Sequence, residues 1–182
     1  MFGQLGYEAA TVRDVVRATD LAVGTFYEYF RDKEEVFVAV ANEAVESLRA
    51  RLRAERRDRR RGLAERVHRA YLAFFEFVVE ERALFAVMER NVEHLPATSR
   101  DDDERRAVDE LRDDFAPDLE PVTRSEEELD FVASAMIGAG LAVARRLLDR
   151  DPRDHAAAAA RAARFCTDFT LAGLAGVRRE AR

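Results

Sequence analysis

The chain has 182 residues and a mass of 20.7 kDa, with 48% apolar and 36% charged side chains, enough apolar material for a buried core, which excludes a wholly disordered polymer. Its 8 glycines and 4 prolines are too few to punctuate a β-sandwich or barrel, so long helices are expected; its single cysteine, Cys166, excludes an intramolecular disulfide and a cysteine-rich metal cage. The net charge of −6 argues against a nucleic-acid partner only if it is spread evenly, and it is not.

Met1 to Tyr7 has no basic start and no apolar run to mark export, so a cytoplasmic protein is expected. Thr11-Val12-Arg13-Asp14 reads as a capping box opening a short helix near Val12, with Val12, Val15, Val16 and Ala18 at helical spacing and a break at Thr19-Asp20. A second short helix is expected from Ala22 to Tyr29, with Leu21, Phe26 and Phe30 as its apolar residues. Asp32 then caps a long helix whose first turn carries Glu34 and Glu35, where carboxylates suit the positive end of the helix dipole. Its stripe of Val36, Val40, Ala44, Leu48 and Leu52 runs into Arg51, Arg53, Arg56, Arg57, Arg59, Arg60 and Arg61, the one basic block of the chain. That block reads either as a solvated helix end or as a surface for phosphate or an acidic partner.

Beyond Gly62 the pattern becomes apolar nearly all round, with Leu63, Val67, Tyr71, Phe74, Phe75, Phe77, Val78 and Val79 on a helix enclosed by others. Arg82 to Leu95, with Phe85, Val87 and Met88, continues the theme until Pro96. Thr98 to Glu120 is densely charged and reads as an exposed helix with weak ends. Ser125-Glu126-Glu127-Glu128 is a second capping box, opening a helix to about Leu148, and Asp151-Pro152 opens a last one to about Val177. The uncharged run Phe131 to Ala144 is shorter than the roughly 20 residues of a membrane span and reads as a buried helix. These last two helices are rich in small residues, including Ala135, Gly138, Ala139, Gly140, Ala142 and Ala162, which allow helix axes to approach closely.

Two short helices joined by a tight turn and followed by a long one match a helix-turn-helix in size and order. Thr25, Tyr27 and Tyr29 place hydroxyls along the second helix and Lys33 an ammonium just after it, the groups that grip phosphates around such a helix. The runs Gly6-Tyr7-Glu8-Ala9-Ala10-Thr11-Val12-Arg13-Asp14 and Gly24-Thr25-Phe26-Tyr27-Glu28-Tyr29-Phe30-Arg31-Asp32-Lys33-Glu34-Glu35 resemble the TetR (tetracycline repressor) family of bacterial transcriptional regulators.

The resemblance implies an all-α homodimer: a helix-turn-helix DNA-binding domain over residues 1–50 that binds a palindromic double-stranded operator, and a larger helical ligand-binding and dimerisation domain over 51–182. A small-molecule inducer would release the DNA. Carried over by position, Thr11 and Arg13 contact backbone or base, Val23, Gly24, Thr25 and Tyr27 lie in the major groove, and Tyr29 and Lys33 hold phosphates. The sequence departs from the family pattern in having Asp20 in the turn, Ala22 where a capping serine is frequent, and Val23 in place of a polar residue, which suggests apolar readout of thymine methyls. It also keeps only the last turn of the family's first helix. That departure supports the alternative of an all-α ligand-sensing or protein-interaction dimer without DNA binding.

Phe74, Phe77, Phe85, Met88, Phe131 and Met136 are the candidate lining of a largely apolar inducer pocket. Ala135, Gly138, Ala139, Ala142, Ala162 and Phe169 are the candidate dimer interface, packing as a four-helix bundle. His68, His94 and His155 lack paired metal-ligand spacing, Cys166 reads as a packed thiol, and Gly138-Ala139-Gly140 lies inside an apolar helix where no phosphate loop can form. No catalytic motif, cofactor, metal site or membrane partner is expected.

Overall fold

The helix starts follow from short side chains that accept the otherwise unpaired first amides. In a computed structural model describing residues 2–19, 23–91, 97–119, 123, 125–150 and 153–180, the Asp14 amide donates to Thr11 Oγ1 at 3.3 Å while the Thr11 amide donates to Asp14 Oδ2 at 3.0 Å, the reciprocal box expected from the sequence. Asp32 Oδ1 accepts from the Glu35 amide at 2.9 Å and Ser125 Oγ from the Glu128 amide at 3.2 Å. The last helix differs from expectation: Asp151 and Pro152 lie outside the described residues, and the cap is Asp154, whose Oδ1 accepts from the Ala157 amide at 2.9 Å.

The fold is all-α. Among the described residues the helices are α1 (Phe2–Leu5), α2 (Val12–Thr19), α3 (Val23–Tyr29), α4 (Lys33–Arg57), α5 (Leu63–Glu80), α6 (Arg82–Arg90), α7 (Ala97–Leu119), α8 (Glu126–Arg150) and α9 (His155–Glu180). They form two compact units, Met1–Ser47 with Glu81–Arg100, and Leu48–Glu80 with Asp101–Arg182.

The core of the first unit is aromatic and β-branched: Phe2, Tyr7, Val15, Val16, Phe26, Val36, Phe37 and Val87 are buried, with Val12, Phe30, Val40 and Met88 packed against them. Phe2 meets Phe37 edge-on at 5.6 Å between ring centres, and Tyr7 lies 4.9 Å from the same ring. Gly6 makes the turn between them at φ 79°, a left-handed conformation that favours glycine. The division expected at residue 50 therefore differs from the observed one, because α6 contributes Val87 and Met88 to the N-terminal core.

The second unit packs α5 chiefly against α9, with α8 alongside. Val67, Tyr71, Phe75 and Val78 of α5 are buried, as are Ala158, Ala159, Ala163 and Cys166 of α9 and Ala133, Met136 and Ala144 of α8. The Tyr71 hydroxyl donates to the Met136 carbonyl at 3.0 Å and lies 3.0 Å from Thr170 Oγ1.

Helix α7 corrects the reading of 98–120 as an exposed helix, since Leu111, Asp114, Phe115 and Leu119 are all buried. The charges expected to face solvent or a foreign partner instead pair within the chain. Arg49 bonds Asp103 at 3.0 Å, Arg53 bonds Glu110 at 2.8 Å, Arg56 and Arg57 both bond Asp114 at 2.7 and 2.6 Å, and Arg59 bonds Asp118 at 3.0 Å. The rungs rise together along both helices, so the C-terminal part of α4 and α7 run parallel. Arg66 of α5 completes the cluster: its guanidinium bonds Asp118, donates to the Arg56 carbonyl at 2.9 Å and sits over the Phe115 ring. The acidic partner left open for the arginine block is thus largely the chain's own α7.

The uncharged run Phe131 to Ala144 is buried along one face only. Phe131 is 61% exposed, and Ala135, Gly138 and Ala142 follow it outward at helical spacing. By length and composition α8 is apolar enough to cross a membrane, with 22% of its most apolar stretch buried.

Candidate nucleic-acid interface

Helices α2 and α3 are too short to be stable alone, and their geometry is imposed by the apolar residues that anchor them. Phe26 is 2% exposed and stacks obliquely on Phe30 at 5.7 Å. With Phe26 held inward, the helical rotation turns its neighbours out: Tyr27 is 57% and Tyr29 74% exposed, Gly24 is exposed and Thr25 half-buried. Val23 opens α3, while its side chain lies outside the described set, as do Asp20 and Ala22. The predicted recognition residues of α3 whose side chains are described, Gly24, Thr25, Tyr27 and Tyr29, are thus each exposed or half-buried.

Thr11 and Arg13 are exposed on α2. Thr11 is first of all a cap, since its hydroxyl also donates to Asp14 Oδ2 at 2.6 Å, and these bonds hold the Asp14 carboxyl below the usual carboxylate range. Lys33 has a supporting role that the sequence did not reveal. Its Nζ donates to the Tyr7 carbonyl at 3.0 Å and the Glu8 carbonyl at 3.1 Å and lies 4.6 Å from the Tyr7 ring centre, tying the turn before α2 to the start of α4. One ammonium proton is left for a phosphate. Burial, and then the nearby Glu34 carboxylate, raise the Tyr7 hydroxyl above its ordinary value.

Sequence reasoning missed the residues that back this surface from a distance, Phe2 of α1 and Val87 and Met88 of α6. No local pattern identifies them, because an apolar residue on a helix does not say which unit it joins. The same finding divides the expected pocket set: Phe85 and Met88 belong to the first unit, and Phe74, Phe77, Phe131 and Met136 to the second. Phe77 and Met136 are buried there, Phe74 is half-buried and Phe131 faces outward. Of the expected interface residues Ala135, Gly138, Ala142 and Phe169 are exposed, Ala139 is half-buried and Ala162 is buried. His94 lies outside the described residues, and His68 Nδ1 sits 3.3 Å from Thr167 Oγ1.

Short helices presenting hydroxyls from an anchored surface, backed by a long connecting helix, define a helix-turn-helix DNA-binding protein. The profile described as bacterial regulatory proteins, tetR family, matches residues 1–40, and that described as tetracyclin repressor-like, C-terminal domain, matches residues 63–170. The chain belongs to the TetR family of DNA-binding transcriptional regulators.

Among curated proteins it is 28% identical over 92 residues to the HTH-type transcriptional regulator YhgD of Bacillus subtilis, covering 50% of this chain and 48% of that one. It is 39% identical over 49 residues to the HTH-type transcriptional repressor Rv1474c of Mycobacterium tuberculosis, covering 27% and 26%. The match thus spans about half the length of the Bacillus relative and about a quarter of the Mycobacterium one. In fold it resembles the TetR-family regulator PfmR of Thermus thermophilus, with TM-score 0.70, 22% identity, and 93% of this chain and 92% of that chain covered. A TetR-family regulator of Pectobacterium atrosepticum gives TM-score 0.73, 20% identity, and 95% and 87%. The ketosteroid transcriptional regulator KstR2 of Mycobacterium tuberculosis gives 0.64, 20%, and 95% and 88%.

Proposed function

We propose that this chain is a cytoplasmic, ligand-responsive repressor that binds a palindromic operator as a homodimer and leaves it when a largely apolar inducer binds. The observation that carries DNA binding is the anchored surface of α3, where Phe26 is buried and Tyr27 and Tyr29 project outward. Thr11, Arg13, Val23, Gly24, Thr25, Tyr27, Tyr29 and Lys33 are the residues assigned to the operator. The burial of Phe2, Phe37 and Val87 in one core supports this reading over a dimer that lacks DNA binding, because the motif's apolar residues are covered. The name of the Mycobacterium relative, a transcriptional repressor, supports repression as the output.

Support for the dimer comes from the outward faces of α8 and α9. Phe165 and Phe169 are 61% and 63% exposed and stack at 6.3 Å, alongside the exposed Phe131, Ala135, Gly138 and Ala142. A monomer rarely leaves such a surface in water. A Cβ built on Gly138 would meet nothing within 4 Å, so in the single chain no packing offsets the roughly 1 kcal/mol that a mid-helix glycine costs; a second chain approaching closely supplies that reason. The aromatic interior of the second unit and the ketosteroid regulator among the fold's relatives support an apolar inducer.

The test combines sedimentation with DNA binding by the full chain, using duplexes from the region flanking its own gene. A dimer that binds one site and is released by a compound from a panel of acyl chains and sterols supports the proposal. A monomer, or release only by highly polar compounds, refutes the corresponding part. In the dimer, Phe169→Glu is expected to shift sedimentation to the monomer, because a carboxylate cannot be desolvated against the partner's apolar face.

A further inference from the structure

An acidic protein that binds a polyanion must do so through the few cations that its own carboxylates leave available. Among the described residues of the motif, 11–19 and 23–33, the cations are Arg13, Arg17, Arg31 and Lys33. Arg31 is committed to Glu35, through its backbone amide at 2.7 Å and its Nε at 2.5 Å. Lys33 gives two bonds to the Tyr7 and Glu8 carbonyls. The next cation along the chain, Arg49, is 5% exposed and tied to Asp103.

Arg13 and Arg17 differ from all of these: both are exposed, and among the described residues neither has a hydrogen-bond or ion-pair partner, although the Asp14 carboxylate is near enough to Arg17 to interact with its charge. They are four apart on α2, hence on one face and one turn of about 5.4 Å from each other. Thr11, Val12 and Asp14 lie beside them at the start of the same helix. The family resemblance assigns Arg13 a role and is silent on Arg17.

We propose that Arg17 is a DNA-contacting residue whose guanidinium binds an operator phosphate one helical turn along α2 from Arg13. A guanidinium can present a fork of donors to a phosphate, and an unpaired one at an exposed site needs no internal bond broken before it does so. The contact adds affinity and fixes the orientation of the motif without reading sequence. This inference rests on the DNA-binding function and, for its magnitude, on the proposed dimer.

The experiment measures binding of the full chain to a duplex that the wild-type protein selects from a random library at 50 mM salt. Fluorescence anisotropy between 50 and 200 mM then compares wild type with Arg17→Gln and Arg17→Lys. Loss of one phosphate contact per protomer flattens the dimer's log–log salt slope by about 1.8, so the affinity advantage of wild type over Arg17→Gln shrinks about 12-fold across that range. Arg17→Lys is expected to restore most of the slope, and the sequence preference stays unchanged in both variants. A role confined to favourable placement of Arg17 in the last turn of α2 would lower the melting temperature and leave the slope alone, which overturns the proposal. An unchanged slope in Arg17→Gln at wild-type stability also overturns it. If wild type selects no duplex, the DNA-binding function itself fails, and Arg17 with it.

Discussion

Asp114 offers the sharpest test of how the second unit is held together. Its carboxylate is 2% exposed and accepts from Arg56 Nε at 2.7 Å and Arg57 Nε at 2.6 Å. The two arginines are unlike: the Arg56 side chain is 5% exposed and that of Arg57 60%. Replacing Asp114 by Ala leaves Arg56 buried with Glu110 as its nearest remaining carboxylate, 3.6 Å away, and Arg56 Nη2 already lacks a hydrogen-bond partner. Removing one member of a buried pair costs about 3–5 kcal/mol, whereas the exposed Arg57 contributes much less, its pairing weakened by water. For a chain of this size the change corresponds to a fall in Tm of about 6–20 °C. Urea denaturation followed by circular dichroism is the assay. Asp114→Ala should lose several times the stability lost by Arg57→Ala, and the double variant Arg56→Met with Asp114→Leu should recover much of it, because a packed apolar pair leaves no orphaned charge. A loss below about 1 kcal/mol in Asp114→Ala, or a double variant no better than the single one, would refute the view that Asp114 neutralises a buried cation.

Three other outcomes follow from particular contacts. Thr11→Val removes the hydroxyl half of the capping box and should cost about 1 kcal/mol, read as faster hydrogen exchange at the α2 amides; unchanged exchange would place the stability of α2 wholly in its packing. Val87→Ala removes apolar volume from the core of the first unit, with an expected loss of about 2 kcal/mol and faster exchange in α2 and α3; exchange altered only in α6 would show that α6 is not part of that core. Burial pushes the Cys166 thiol up from 9.0 to about 11, and since its folded value lies above its unfolded one, its contribution is complete below about pH 9 and is lost as pH rises toward 11. Between pH 8 and 10 the wild type should therefore lose about 1 kcal/mol more than Cys166→Ala, and equal losses would contradict a buried thiol.

The helix-turn-helix could be read from the sequence because every signal that builds it is local. Thr11 and Asp14, or Asp32 and Glu35, are three residues apart and find each other in any helix that starts there. The pairing of α4 with α7 is different in kind. Arg56 and Asp114 are separated by 58 positions, and dense charge on α7 has the same sequence signature whether it faces water or a row of arginines. The small, apolar character of α8 and α9 was visible, but a helix apolar on most sides does not announce which stripe faces its own chain. Phe131 was accordingly assigned to an interior, although it lies outward with Gly138 and Ala142.

The arrangement of charge resolves the tension between a net of −6 and a polyanionic partner. Arginine on the second unit is largely matched within that unit: Arg53, Arg56, Arg57 and Arg59 answer Glu110, Asp114 and Asp118, and Arg61 and Arg69 converge on Glu55. A matched pair contributes little field beyond a Debye length of about 8 Å at physiological salt, so neither the basic block nor the acidic α7 projects far. On the proposed reading, a phosphate at α2 meets the exposed guanidinium groups of Arg13 and Arg17, which have no hydrogen-bond or ion-pair partner among the described residues. Electrostatic attraction built from so few cations is necessarily salt-sensitive but shallow in slope. Discrimination between sequences would then rest on contacts that salt does not screen, those proposed for Val23, Gly24, Thr25 and Tyr27 in the major groove.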